Sequence, residues 1–202
     1  MAWAPDYCTL DELRDYVTRD GSTIDDVYLG LAKSSAARAI DQDTGRQFGQ
    51  VSAPEARTYV ARPDYDRGYW CVDVDDFQDA TGLLVAIGEP PFLGVTTFVK
   101  APVNAPATGR PWTRIEFTAD SQAYPTNPPH DVIVTAKWGW LAVPPTVEGA
   151  NLLQGSRFAT RRQAPFGVAG SPEQGSEMRL LAKVDPDVHV MLNNYRRIRA
   201  PQ

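Results

Sequence analysis

The chain has 202 residues, of which 43% are hydrophobic and 22% charged. That size suits one domain, or one domain carrying an inserted subdomain, and the composition excludes chain-wide disorder and collagen-like or coiled-coil architectures. With 25 carboxylates against 20 Lys and Arg the net charge is −5, which excludes a global attraction to nucleic acid or anionic membrane while leaving room for a local basic patch. No apolar run approaches the ~20 residues of a membrane span. The opening Met-Ala-Trp-Ala-Pro-Asp lacks the charged and apolar regions of a signal peptide, so the expectation is a chain made in the cytosol. Two cysteines, Cys8 and Cys71, are too few for a disulfide framework and read as ordinary thiols.

The first element is announced by Thr9-Leu-Asp-Glu12, a capping box that starts a short helix from Leu10 to about Thr18. Asp20-Gly21-Ser22 breaks it. Thr23 can cap a second helix, whose first turn carries Asp25 and Asp26 in favourable positions against the helix dipole. Ile24, Val27, Tyr28, Leu31 and Ser35 recur at helical spacing, so that helix should run to about Thr44 and stop at Gly45.

From Glu55 to Trp138 short β-type runs alternate with turn residues, the pattern of an antiparallel sheet rather than of βαβ units. The expected strands are 57–61, 69–74, 83–87, 96–100, 113–117 and 132–138, with most of the prolines between them. Pro144 and Pro145 suit the entry of a third helix running to about Arg162, with Val147, Ala150, Leu153 and Phe158 as its buried face. Residues 163–184, rich in Gly, Pro and Ser over Gln163 to Gly175, read as an exposed loop. Asp185-Pro-Asp187 caps a last helix from Val188 to about Arg197, with Val188, Met191, Leu192 and Tyr195 on its apolar face and 196–202 as a tail. The fold class is therefore α+β: a small helical bundle of two N-terminal helices, a later helix and a short C-terminal helix, forming one domain over 1–202 with an antiparallel β region inserted at 55–138.

Catalytic constellations are sparse. Two histidines, His130 and His189, and no G-x-S-x-G offer little for a nucleophilic triad. Asp73, Asp75, Asp76 and Asp79 are the densest acidic cluster, but Phe77 and Gln78 break the EF-hand pattern, so the cluster reads as a solvated strand end and turn, where a structural ion could still sit. Gly167-Val-Ala-Gly170 has no following Lys-Ser/Thr and no βαβ setting, which sets nucleotide hydrolysis aside. Arg157, Arg161 and Arg162, then Arg196, Arg197 and Arg199, gather near the ends of the last two helices. They either complement the helix dipole or meet an acidic partner or DNA backbone.

Several segments in order resemble the head-to-tail connector (adaptor, or head completion) proteins of tailed double-stranded DNA bacteriophages. They are Tyr7-Cys-Thr-Leu-Asp-Glu-Leu13, Ala37-Arg-Ala-Ile-Asp-Gln-Asp-Thr-Gly-Arg-Gln-Phe48, Trp138-Gly-Trp140 with Val143-Pro-Pro145, Arg161-Arg-Gln-Ala-Pro-Phe-Gly-Val168, and Asp185-Pro-Asp-Val188 before Tyr195-Arg-Arg197. The resemblance implies a non-enzymatic virion part of the neck, without a cofactor or bound metal, made in the host cytoplasm. It would assemble as a homo-oligomeric ring, commonly of twelve copies, under the portal protein, extend the DNA channel and receive a stopper or tail-terminator protein. Viral DNA would pass through the lumen without sequence-specific binding, and no membrane is involved.

On that reading Pro165, Phe166 and Gly167 with Tyr195, Arg196, Arg197 and Arg199 are expected to dock on the portal or a neighbour, the aromatics as anchors and the arginines on acidic groups. Asp64, Asp66, Asp73, Asp75, Asp76 and Asp79 are candidates for a lumen lining that repels DNA, with solubility as the plainer use of the charge. The competing expectations are a protein-interaction module that forms no portal-bound ring, and a small metal-dependent hydrolase at the aspartate cluster.

Overall fold

A computed structural model describes residues 3–18, 24–88, 92–118, 120–121, 125, 131–161, 168–169, 178–179 and 184–197. The chain divides into two compact units, one of residues 1–48 with 143–202 and the other of residues 49–142. The first is helical and the second is a β sheet, so the α+β class holds, with the β region inserted between helices.

In the helical unit, α1 (Leu10–Val17) starts at the expected box: the Glu12 N–H donates to Thr9 Oγ1 at 3.2 Å, and Glu12 Oε2 accepts the Thr9 N–H at 2.6 Å. The next helix, α2 (Asp26–Thr44), is capped two residues later than expected. Asp25 Oδ1 accepts the Val27 N–H at 3.0 Å, whereas Thr23 lies outside the described residues. Gly45 ends α2 in the left-handed conformation (φ 65°), which glycine adopts without Cβ strain.

Helix α3 (Pro145–Arg161) follows the proline pair, and α4 (Pro186–Leu192) follows the cap in which Asp185 Oδ1 accepts the Asp187 N–H at 2.9 Å. The last helix stops five residues short of the expected end, and a 3-10 turn, Asn193–Tyr195, replaces its final turn.

The unit closes around Leu13, Leu29, Ala32 and Ala159, with Leu10, Val17, Ile24, Leu152 and Phe158 packed against them. Small residues set the spacing: a Cβ added at Gly155 of α3 would stand 3.1 Å from a methyl of fully buried Leu13. The buried face of α3 also differs from expectation. Leu153 and Phe158 are half-buried, while Asn151 and Gln154 are buried beside Val147, Ala150, Gly155 and Ala159. Both polar side chains tie elements together, because Gln154 Oε1 accepts the Asp185 N–H at 3.0 Å and Asn151 Nδ2 donates to Cys8 Sγ at 3.0 Å.

The β unit contains β1 (Glu55–Val60), β2 (Arg62–Asp64), β3 (Tyr69–Ile87), β4 (Leu93–Val95), β5 (Val99–Ala101), β6 (Trp112–Phe117) and β7 (Asp131–Trp138). All pairings are antiparallel, in the order β1-β7-β3-β6-β5, with β2 and β4 also on β3. The two strands expected at 69–74 and 83–87 are one strand of 19 residues, and the strand expected at 96–100 is replaced by β4 and β5. Opposite Lys137 and Thr135 of β7 stand Asp79 and Leu84 of β3, so the intervening residues bulge out without ending the strand.

Inside the sheet lie Val72, Val74, Phe77, Val85, Ile87, Ile115, Phe117, Val132, Val134, Ala136 and Trp138, the inward residues of alternating strands. A further two-residue ladder joins β8 (Val168–Ala169) to β9 (Met178–Arg179); the rest of the expected loop at 163–184, apart from Val184, lies outside the described residues.

Tyr59 of β1 links two parts of the sheet: its hydroxyl donates to Asp75 Oδ2 at 2.9 Å and accepts the Asp75 N–H at 3.3 Å. Burial, then the adjacent Asp75 carboxylate, pushes this phenol well above its ordinary value of 10.0. The unfolded tyrosine therefore ionises first as pH rises, and the stability it contributes is complete below pH 10 and lost above it. Relative to Tyr59→Phe, urea unfolding of the β unit should lose about 1.4 kcal/mol of stability per pH unit above that point. Equal slopes for the two proteins would show that the phenol is not protected.

Candidate functional site

The C-terminal candidates turn out to hold their own chain together. The Tyr195 ring meets buried Phe48 edge-on at 5.7 Å, and Phe48 in turn meets Tyr7 at 5.5 Å. Arg196 Nη2 lies 3.0 and 2.9 Å from the two Asp43 carboxylate oxygens, and the Arg197 N–H donates to the Thr44 carbonyl at 2.8 Å. Residues 195–197 thus strap the end of α2, where helix carbonyls lack intrahelical donors. His189 Nδ1 lies 3.1 Å from the same Asp43.

The chain up to Arg197 is accordingly no free tail: Tyr195, Arg196 and Arg197, expected to meet a partner, are each engaged within their own chain. Arg157 is likewise engaged, with Nη1 2.6 Å from Asp185, and Arg161 stacks on the Phe158 ring. Pro165, Phe166, Gly167 and Arg199 lie outside the described residues.

The acidic candidates also separate. The expected turn over Asp73 to Asp79 is the middle of β3, and three of its carboxylates meet cations from other strands of the sheet. Asp73 accepts from Arg114 Nε at 2.9 Å and from Arg62, Asp75 from Arg57 Nη1 at 2.8 Å, and Asp79 lies 3.3 Å from Lys137 Nζ. Hydrogen bonds from the Thr81 side chain and backbone, with Lys137 beside them, hold the Asp79 carboxyl below its ordinary value. Asp76 is only 6% exposed and accepts the Trp140 indole N–H at 3.0 Å, which removes it from any lumen lining.

Asp64 and Asp66 lie on the β2–β3 hairpin, Asp64 half-buried and Asp66 exposed. Asp64 shapes that turn, its carboxylate accepting the Arg67 N–H at 3.2 Å and its carbonyl the Gly68 N–H at 2.8 Å. Tyr65 between them is 89% exposed. Among the described residues no group of three or more His, Cys, Asp or Glu is placed to hold a metal ion, and no helix is long and apolar enough to cross a membrane.

Sequence reasoning missed an exposed apolar pair on α2. Val27 and Leu31, which the helical spacing grouped with Ile24, Tyr28 and Ser35, are 67% and 61% exposed, whereas the core takes Leu29, Ala32, Ala36, Ala37 and Ile40. The signal was present in the sequence, since α2 carries two apolar stripes.

No protein-family model matches the chain, and no curated protein does. Its fold is similar to that of a chain in the neck of an empty gene transfer agent particle computed with C6 symmetry. That chain is 16% identical, with a TM-score of 0.52, and the likeness covers 100% of this chain and 95% of the other. A chain from the virion of a native gene transfer agent particle also matches at 16% identity over 95% of this chain and 90% of that one, with a TM-score of 0.48. What the first likeness establishes is a shared two-part fold running end to end.

Proposed function

We propose that this chain is a structural, non-enzymatic virion protein of the neck. It joins the portal of a DNA-filled phage head to the tail, as a ring that extends the DNA channel. The observation that carries this reading is the end-to-end likeness in fold to a neck protein, with the connector-like segments of the sequence pointing the same way. A ring of twelve copies is compatible with sixfold averaging of such a neck. The partners are further copies, the portal protein, and a stopper or tail-terminator protein, with DNA crossing the lumen.

Portal docking then falls to Pro165, Phe166, Gly167 and Arg199, with residues 195–197 holding the base from which the last residues leave. The acidic lining reduces to Asp64 and Asp66, because the other four carboxylates are paired or buried. Electron microscopy of particles made with a stop codon at Trp70 tests the reading. DNA-filled or leaked heads beside unattached tails are expected; intact virions would overturn it.

A further inference from the structure

We draw no further inference here: the strongest candidate, the outward apolar face of the sheet where Val60 of β1, Ile133 of β7 and Leu84 of β3 share one side, carries nothing because nothing in the structure shows what covers it.

Discussion

Trp138→Ala is expected to destabilise the β unit by about 5 kcal/mol, at the upper end for deleting a large aromatic side chain from a packed core. Trp138 is 1% exposed at the end of β7. Its ring is met by Phe77 edge-on at 6.1 Å, by Tyr59 at 5.7 Å, and by the Arg57 guanidinium at 4.8 Å, so one side chain holds parts of β1, β3 and β7 together. The indole N–H also donates to the Glu55 carbonyl at 2.8 Å.

Alanine leaves a cavity bordered by rigid strands, which cannot collapse into it as a loop could. Domains of this size have only about 5–15 kcal/mol in total, so the β unit should be largely unfolded in moderate urea. Trp138→Phe keeps most of the volume and should cost about 2 kcal/mol. Urea titrations followed by near-ultraviolet circular dichroism measure both, and a loss below about 1 kcal/mol for alanine would show that Trp138 does not organise the sheet.

Ending the chain after Asn194 is expected to destabilise the helical unit by about 4 kcal/mol. Three contacts go at once: the Tyr195 ring on Phe48, the Arg197 N–H on the Thr44 carbonyl, and Arg196 on Asp43. The last is the costliest. The Asp43 side chain is 15% exposed, and a carboxylate that far from water loses about 3 kcal/mol when its partner is removed, moderated here by His189.

Ending the chain after Arg197 keeps all three contacts and should cost less than about 0.5 kcal/mol. Thermal melts of the two truncations separate folding from docking. If the longer truncation melts normally yet fails to join heads to tails, the final residues act on a partner; if the shorter one melts like the full chain, the strap is not structural.

How far each feature could be read from the sequence follows from the range of the interaction behind it. The caps of α1 and α4 were legible because Thr9 with Glu12, and Asp185 accepting the Asp187 N–H, satisfy backbone groups within three residues of themselves. Gly45 was legible as a stop for the same reason. The continuity of β3 was not. Asp73-Val-Asp-Asp-Phe-Gln-Asp79 has the composition of a turn, and it remains extended because Arg57, Arg62, Arg114 and Lys137 meet its carboxylates from β1, β2, β6 and β7. The buried polar pair on α3 was hidden likewise, since Asn151 and Gln154 find partners at Cys8 and Asp185.

By itself the sequence determined the α+β class, the insertion of a sheet between helices, most helix limits and the strand-rich middle, because period, caps and turn residues act over a few positions. Only the tertiary structure decided which stripe of α2 is covered. Periodicity shows that two stripes exist, but burial depends on what packs against them. Ala32, Ala36 and Ala37 present short side chains where the bundle closes, so the larger Val27 and Leu31 are left facing water. The fate of Tyr195 and Arg196 was decided in the same way, by residues some 150 positions away that the fold brings within hydrogen-bonding distance.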